Sequence, residues 1–569
     1  MLISLAYLFV YLAIILLCVI PLGWYMAQVL DGKPCVINRV MQPIERGIAR
    51  CCGITLHNEM DWKEYLITML YVNLFGMLFV YAIQRLQYYL PLNPEHFNGV
   101  AADLAFNTAA SFVTNTNWQA YIGESTMSYL TQMLALTMQQ FMSAATGIAL
   151  MMAFIRGLTR HEAIGLGNFW QDMLRSILYI LLPLSILFSV VLVSQGVIQN
   201  FKPYVEAELI DPVVATTQHI PMGPVASMVS IKQLGSNGGG FFGVNAAHPF
   251  ENPNLISNYL EMLAIILIPA ALCYSFGILV NDRRQGFALL AVMILIFIPL
   301  AMLSMHAEQQ GNPLLQNTNI TNVGNMEGKE VRFGPLYSAL WGSATTATAN
   351  GSVNYMHDSA MPASGFVYLV FMQMGEIIFG GVGCGIYSML LMVLIAVFIG
   401  GLMVGRTPEY LGKRIEPYEM KIVCLMVVFI SSLVVLLCSA FSSVTSLGLA
   451  SLKNSGAHGF SEILYAFTSM RNNNGSAFAG LNSNTNFYNV LGGIVMLIGR
   501  YWYIIGLMAV AGSLARKKII PASSGTLATN DLTFILFLIG VIMIVGVISF
   551  LPALALGPVI EHLTIWGSL

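Results

Sequence analysis

Hydrophobic residues dominate ten long segments of the chain, and shorter polar stretches separate these segments. A helix needs about 20 apolar residues to cross about 30 Å of hydrocarbon. The pattern therefore predicts ten transmembrane helices. They cover residues 3–24, 64–88, 128–154, 172–196, 256–280, 285–305, 364–403, 420–441, 486–512 and 532–555.

The seventh segment, 364–403, is too long for one span and contains two interruptions. These are Gly375-Glu376 and the glycine-rich run Gly380-Gly381-Val382-Gly383-Cys384-Gly385. Irregular backbone inside a span is tolerated only where protein or a water-filled cavity surrounds it. We therefore expect a broken helix here that lines a cavity.

Four shorter, semi-apolar stretches each lead into a polar loop rich in asparagine. The stretches are 102–113, 225–234, 336–345 and 461–470, and the loops centre on Asn115, Asn237, Asn350 and Asn474. Successive centres lie 122, 113 and 124 residues apart. Asn-Gly is a common turn dipeptide, but four copies at near-equal steps favour a fourfold internal repeat. Because the stretches are too short to cross the membrane, they predict re-entrant half-helices.

The predicted fold is an all-α polytopic membrane protein, with ten transmembrane helices and four helix–pore-loop–helix repeats arranged pseudo-symmetrically around a central pore. The expected divisions are a first span and its loop (1–62), repeat 1 (63–160), repeat 2 (161–282), repeat 3 with the broken helix (283–418), repeat 4 (419–531) and a last span (532–569). The sequence assigns no role to the polar loop 305–335.

Composition supports a bilayer location. The 569 residues are 57% hydrophobic and 9% charged, whereas soluble domains carry about 25% charged residues. The net charge of −2 gives no reason to expect nucleic acid as a partner. The eight cysteines are scattered without CxxC spacing, so we expect neither a disulfide frame nor cysteine metal ligation.

Lysine and arginine are distributed unequally between the two sets of loops. Seventeen of the 25 fall on one side of the predicted spans and seven on the other, and Arg500 lies within the ninth span. Cytoplasmic loops carry the excess of basic residues. We therefore expect both termini and all four asparagine-centred loops to face outward. The N-terminus has no basic region before its first apolar run, so we expect the first span to be retained rather than cleaved.

The four loops suit the binding of a dehydrated monovalent cation. Backbone carbonyls can supply oxygen ligands without adding charge, and glycine permits the backbone angles that point them inward. The C-terminal ends of the half-helices also favour a cation. This reasoning predicts a pseudo-fourfold cation pore, and it does not separate potassium from sodium. Since Thr116-Asn117-Trp118-Gln119 lacks glycine, the first loop favours ion capture over rapid conduction.

Several longer motifs resemble the potassium-binding A subunit of the bacterial Kdp potassium-transporting ATPase. The motifs are Asn107-Thr108-Ala109 with Phe112 to Gln119, Asn237 to Phe242, Ala247 to Pro253, Gly405 to Lys413 and Asn472 to Gly480. The resemblance extends from the first span to the last. It implies a channel-like potassium-transporter subunit that works with a P-type ATPase catalytic (B) subunit, a small C subunit and a small single-span subunit in the bacterial inner membrane.

By motif match, the resemblance implies a potassium filter in the four loops and names no organic cofactor. The filter residues are Asn115, Thr116, Asn117, Gln119, Asn237, Gly238, Gly239, Asn350, Gly351, Asn474 and Gly475. One departure is Asn350, in Ala349-Asn350-Gly351, where the family pattern is Ser-Cys-Gly.

Below the filter, the resemblance implies a tunnel toward the ATPase subunit at the break in the third repeat. Its residues are Glu376, Gly380, Gly381, Gly383 and Cys384, where Cys384 is a second departure because serine is expected.

Intramembrane charges are costly, so Arg500 is a candidate gate residue or a structural brace. Arg406 is a candidate cationic lock or docking contact, with ordinary basic topology as the alternative. Glu261 is expected to be a solvated residue or to lie at the membrane interface, and not to be a ligand, and His248 and His458 are expected to serve loop structure.

Energy coupling is not encoded in recognisable form. The sequence contains no GxxxxGK[ST] phosphate loop and no Asp-Lys-Thr-Gly motif of the kind P-type pumps carry. ATP hydrolysis must therefore belong to a partner, or transport is passive. The alternatives are a stand-alone, gradient-driven potassium or sodium channel and a membrane scaffold that binds no ion. The four loops speak against the scaffold.

Overall fold

The computed structural model describes residues 2–56, 58–210, 217–315, 324–521 and 527–567, and it is mostly helical. Within these residues, nine helices are long and apolar enough to span a membrane, or ten if a bent pair is counted as one span. The nine are Ile3–Leu30, Trp62–Tyr89, Thr131–Thr159, Phe169–Ser194, Leu255–Leu279, Arg283–Gln310, Cys384–Met403, Pro417–Val444 and Asn486–Ala515. The predicted all-α, polytopic architecture is confirmed.

The bent pair is the last span. It consists of Leu532–Val547 and Leu551–Gly567, which meet at 66°. Pro552 stands at the start of the second helix, and proline cannot donate a hydrogen bond to the preceding turn. The first, straight helix of this span therefore ends at Val547, before the predicted end at residue 555. The bent second helix continues beyond that residue to Gly567.

Four half-helices cover the stretches that the sequence predicts, and the third and fourth extend beyond the predicted bounds. They are Ala102–Val113, Val225–Leu234, Gly334–Ala347 and Gly456–Arg471. Each lies between two spans, so the chain contains four span–half-helix–loop–span units. In the third unit the second helix is divided into Pro362–Gln373 and Cys384–Met403, which confirms the predicted break.

The structure also contains smaller elements that the hydrophobic pattern does not reveal. An amphipathic helix, Asn38–Cys51, follows the first span. Two antiparallel hairpins also form, Val205–Glu208 with Thr217–Ile220 and Glu409–Tyr410 with Lys413–Arg414. These elements are short, and most of their residues are at least partly exposed, so they leave no long hydrophobic run in the sequence.

Both described ends of the chain lie on the side of the molecule that carries the loops. Near the start, the hydroxyl of Ser4 donates to Gln309 Oε1 at 2.8 Å, at the end of the helix that leads to the third half-helix. Near the end, Glu561 contacts His458 of the fourth half-helix at 2.7 Å.

The opposite side is joined by ion pairs between the units. Arg156 forms a two-point ion pair with Asp172, with nitrogen–oxygen distances of 2.5 and 2.8 Å. Asp172 also accepts a hydrogen bond from the buried hydroxyl of Tyr65 at 2.9 Å. On the hairpin, the ammonium of Lys413 donates to the carbonyls of Arg160 and Lys517. These contacts hold together elements of all four units.

We predict that Asp172→Ala destabilises the protein by about 3 kcal/mol, because Arg156 would keep a largely buried charge without its partner. SDS-titrated unfolding of the purified protein measures this change. Glu162→Ala is the matched control, since Glu162 and Lys518 pair at 3.6 Å with side chains that are 61% and 81% exposed. An equal loss in both variants would contradict the assigned role of the buried pair.

Candidate functional site

Each half-helix ends in the same backbone turn. The residue after the helix cap has a positive φ in all four cases, a conformation that is uncommon outside glycine. These residues are Asn115 (68°), Ser236 (50°), Ala349 (50°) and Asn473 (51°). Three residue types, asparagine (twice), serine and alanine, thus adopt one conformation, which indicates that the fold and not the local sequence imposes the turn.

A second backbone feature fixes which loop residues are equivalent. In each loop, the residue that follows the positive-φ residue donates its backbone N–H to the carbonyl five residues earlier, which lies in the half-helix of the same unit. The pairs are Thr116 with Ser111 (3.0 Å), Asn237 with Lys232 (2.8 Å), Asn350 with Thr345 (3.2 Å) and Asn474 with Ser469 (2.9 Å). Thr116, and not Asn115, is therefore the equivalent of the other three asparagines. The register that the sequence predicts for the first loop is wrong by one residue.

The loops form a closed ring through contacts between backbones. A Cβ atom on Gly238 would collide with the carbonyl of Asn350 in the third loop, and one on Gly351 with the carbonyl of Asn474 in the fourth. A Cβ atom on Gly475 would collide with the carbonyl of Thr116 in the first loop. Gly351 and Gly475 also have φ of 85° and 96°. Glycine is therefore required at these positions by close approach.

The first loop completes the ring with asparagine in place of glycine. Asn117 has a φ of 55°, which asparagine tolerates better than most residues. The side-chain amides of Asn117 and Asn237 approach within 2.9 Å, and those of Asn115 and Asn237 within 2.7 Å. Side-chain contacts thus replace, between the first and second loops, the backbone contacts of the other three junctions.

Carbonyls of the second loop are held by side chains. Asn245 donates to Gly238 at 2.7 Å, Gln140 to Gly239 at 2.7 Å and Gln119 to Gly240 at 2.9 Å. Gln119 also accepts from the N–H of Gly240 at 3.0 Å. Gln119, one of the predicted filter residues, therefore fastens the first loop to the second.

A buried ion pair that sequence reasoning did not single out supports the second loop. The Lys232 ammonium lies 2.5 Å from Glu251 and 2.6 Å from Asn245 Oδ1, and both charged side chains are fully buried. Glu251 also accepts from the N–H of Phe242 at 2.9 Å. The one feature of the sequence that could have indicated this pair is Lys232, a charged residue near the end of a semi-apolar stretch.

Glu261 belongs to the same buried region. Its side chain is 0% exposed and accepts a hydrogen bond from Gln233 Nε2 at 2.9 Å. The prediction that Glu261 lies at the membrane interface is therefore wrong. The apolar pattern of its helix places it near one end, but it does not show that the second half-helix covers that end.

The third and fourth loops are supported by asparagine and by a neutral histidine. Asn350 accepts from the N–H of Ser352 at 2.9 Å, and Asn474 accepts in the same way from Ser476 at 3.1 Å. Asn350, which departs from the family pattern, therefore makes the same local hydrogen bond as Asn474 makes in the fourth loop. Behind it, Tyr465 bridges Ser476 and His357. Burial of the side chain, together with the charge of Lys329, lowers the pKa of His357 to about 3. The imidazole beside the loops therefore remains uncharged.

Beneath the ring, the broken helix of the third unit forms a tight irregular segment. Glu376, Phe379, Gly380 and Gly383 all have positive φ, between 60° and 82°. A Cβ atom on Gly383 would collide with the carbonyl of Gly147 in the second helix of the first unit. The break therefore packs against a neighbouring span, as irregular backbone at membrane depth must.

Two adjoining cavities lie at this break. The first is lined by residues that include Glu376, Arg471, Asn473 and Arg500. The second shares Gly375, Arg471 and Tyr503 with the first and reaches residues 427–432 and 545–550. Because Asn473 belongs to the fourth loop, the first cavity begins directly at the ring.

Arg471 is one of the seven basic residues that the sequence predicts in the outer loops, and that prediction is wrong. Its side chain is only 6% exposed and lines both cavities. It ends the fourth half-helix and donates to Asn472 Oδ1 at 2.6 Å. An arginine at a helix C-terminus is favourable to the helix dipole.

The predicted gate residues are only partly brought together. Cys384 accepts from Arg500 Nη1 at 2.7 Å and from the hydroxyl of Tyr387 at 3.0 Å, and Arg500 shares the first cavity with Glu376. Gly380, Gly381 and Gly383 form the break itself. Arg406 is exposed beyond the far end of the helix Cys384–Met403, which at 20 residues is about 30 Å long.

These features define a class of protein: a polytopic membrane protein in which four re-entrant loops form a closed ring above internal cavities. The same fold is found in a solved structure, the potassium transporter TrkH from Vibrio parahaemolyticus. The TM-score is 0.51 at 15% identity, and the match covers 86% of this chain and 96% of that one.

A model of the KdpA family, potassium-transporting ATPase A subunit, matches residues 9–563. The chain is 55% identical to the potassium-transporting ATPase potassium-binding subunit of Herpetosiphon aurantiacus, with 97% of this chain and 98% of the relative covered. It is 52% identical to the subunit of that name from Clostridium perfringens, with the same coverage. The chain therefore belongs to the potassium-transporting ATPase A subunit family.

We predict that Lys232→Met loosens the second loop, because Glu251 would be left as a buried charge without its partner. Hydrogen exchange measured by mass spectrometry should become faster in peptides that cover residues 236–242 and stay unchanged in those that cover the fourth loop. Lys202→Met, at an exposed lysine, is the control. Equal exchange at residues 236–242 in both variants would show that the pair does not support the loop.

Proposed function

We propose that this chain binds potassium from the outer side of the bacterial plasma membrane and passes it to a partner P-type ATPase subunit. The ring of four equivalent loops carries this proposal. Four half-helices place their C-terminal ends and twelve loop positions, Thr116 to Trp118, Asn237 to Gly239, Asn350 to Ser352 and Asn474 to Ser476, around one axis. Carbonyl oxygens in such a ring replace the hydration shell of potassium.

The charges beneath the ring support capture rather than free conduction. Arg471 and Arg500 both line the first cavity, so a cation that leaves the ring through this cavity passes both of them. Two positive charges at short range in a low-dielectric site raise the energy of a potassium ion there, and Glu376 offsets part of that increase. An ion would thus be held at the ring until the cavity changes its charge balance or shape.

The second cavity supplies a route away from the ring. It extends between the broken third-unit helix, the span Pro417–Val444 and the last span. We propose that this direction leads to the catalytic B subunit, and that the small C subunit and a single-span subunit complete the complex. The relatives named as subunits of a potassium-transporting ATPase support a partner of this kind.

We predict that Gly238→Asp raises the potassium concentration for half-maximal uptake by about tenfold or more, equivalent to about 1.4 kcal/mol of binding energy. The new side chain would collide with the carbonyl of Asn350 and the backbone of Gly351 and break the ring. The measurement is potassium-stimulated ATP hydrolysis by the detergent-solubilised complex purified through this chain, together with uptake at low potassium.

Gly47→Asp is the matched control for this substitution, because a Cβ atom there meets no atom within 4 Å. It should leave the half-saturating concentration unchanged. An unchanged value in Gly238→Asp would exclude the second loop from ion capture. If no ATPase co-purifies and the chain alone conducts in liposomes, the stand-alone, gradient-driven channel is the correct function.

We also predict that the basic face is cytoplasmic. Cys51 and Cys52 are exposed after the first span. A membrane-impermeant maleimide should leave both unlabelled in intact cells and label them after permeabilisation. A variant that lacks both cysteines and carries Ser125→Cys, at an exposed position after the first loop, should be labelled in intact cells. The reverse pattern would invert the proposed topology.

A further inference from the structure

A cluster of acidic side chains around one histidine lies on the side that carries the loops, and none of its members belongs to the ring. Asp358 is in the turn His357–Ser359, His458 and Glu462 are on the fourth half-helix, and Glu561 is in the final helix Ile560–Gly567. Asp358, His458 and Glu561 line the same cavity. Their side chains are 10%, 21% and 20% exposed, so the cluster is reachable from solvent.

The histidine is oriented by its two ring nitrogens. Nδ1 lies 2.7 Å from Glu561 Oε1, and Nε2 lies 3.1 Å from Asp358 Oδ1. His458 and Glu462 are four residues apart and share a helix face. As a result, one ligand atom from each of Asp358, His458 and Glu462 falls within 4.8 Å of the other two.

Glu462 supplies independent evidence that the cluster is built for a ligand. Its side chain is fully buried, and Oε1 accepts from Asn454 Nδ2 at 2.7 Å. Oε2 is buried and makes no hydrogen bond of standard geometry to a described residue, although the backbone N–H of Lys453 also interacts with this carboxylate. A carboxylate oxygen without a partner in a buried position is costly unless a cation compensates it.

Gly480 keeps the space between the two carboxylates open. A Cβ atom on Gly480 would lie 2.7 Å from Asp358 Oδ2 and would collide with Glu462 Oε1. The φ of Gly480 does not fall in the left-handed region, so backbone conformation does not require glycine there. The requirement comes from the two carboxylates, which approach the same point.

We propose that Asp358, His458 and Glu462 form a binding site for a divalent transition-metal ion of the zinc or manganese class, with Glu561 as the residue that orients His458. One imidazole with two carboxylates suits these metals, whereas calcium and magnesium favour oxygen ligands alone. A ligating histidine ordinarily donates its other ring N–H to a carboxylate, and Glu561 occupies that position.

The donor atoms are close to the required geometry. Ligand atoms around zinc are roughly 3.3 Å apart, and His458 Nε2 and Asp358 Oδ1 are already 3.1 Å apart. Glu462 must approach by a small side-chain movement. The metal replaces the proton that Nε2 would otherwise share with Asp358, and that proton passes to solvent. Three carboxylates are then balanced by two positive charges instead of one.

Such a metal would join three parts of the chain. Asp358 belongs to the third unit, His458 and Glu462 to the fourth half-helix, and Glu561 to the final helix. The fourth half-helix carries Asn473, Asn474 and Gly475 into the ring at its other end. The site therefore acts as a structural clamp that fixes the start of this half-helix.

The test is metal binding by the purified protein, prepared with an affinity tag that contains no histidine and treated with EDTA. After incubation with Zn²⁺ and gel filtration, elemental analysis should find about one zinc ion per chain. The melting temperature should rise with added Zn²⁺ and remain unchanged with Mg²⁺. X-ray absorption at the zinc edge should show a shell of nitrogen and oxygen at about 2.0 Å without sulfur.

Three variants and a control locate the site. Glu462→Gln and His458→Gln should each weaken zinc binding at least about tenfold, and Glu561→Gln should weaken it less, as expected for an orienting residue. His219→Gln is the control, since His219 pairs with Glu206 on an exposed hairpin. It should bind zinc as the unmodified protein does.

Two results would overturn the proposal. One is zinc binding by the unmodified protein that does not exceed the binding of the His458→Gln variant. The other is a zinc absorption spectrum with sulfur ligands, which would place the metal at the cysteines. Both are read from metal content or spectra and are independent of potassium transport, so they leave the proposed function untouched.

Discussion

The close approach of one loop backbone to the next is the interaction on which the site depends. Gly238, Gly351 and Gly475 each face the carbonyl of the following loop at a distance that excludes a side chain. The three contacts run in one direction around the ring, and the amides of Asn117 and Asn237 close it. Spans, half-helices and supporting side chains are all arranged so that four separate turns can meet in this way.

That arrangement requires polar and charged groups to be buried beside the loops. Lys232 and Glu251 are fully buried behind the second loop, and Arg471 and Arg500 lie beneath the ring. Removing both partners of a buried ion pair is often harmless to stability, so stability alone does not explain such a pair. Here each charge makes a directed contact with a loop or with the break below it, and we attribute their presence to positioning.

Much of the fold could be predicted from the sequence because membrane depth and hydrophobic length are linked by simple geometry. The spans, the four half-helices and the break in the third unit follow from run length and glycine position. The errors arise where local sequence is ambiguous. Asn115 and Asn117 flank Thr116, so counting asparagines shifted the first loop by one position. Proline at 552 bends the last span, which its apolar composition conceals.

Charged residues show most clearly which environments could not be predicted from the sequence. Glu261 and Arg471 lie at the ends of their helices, where a residue is equally compatible with solvent, the interface or a buried site. Only the packing of other segments decides between these environments. For Glu261 that segment is the second half-helix, and for Arg471 it is the broken helix of the third unit together with the span Asn486–Ala515.

The sequence by itself determined the membrane class, the number of repeats, the location of the loops and the family. Each of these follows from the length of the apolar segments, the spacing of the loops or contiguous motifs. Tertiary structure alone decided the register of the ring, the burial of Lys232 and Arg471, and the meeting of Asp358, His458 and Glu462. These depend on which residues, up to 386 positions apart for Asp103 and Asn489, come into contact. Such contacts are fixed by packing between spans, and a single sequence carries no local record of them.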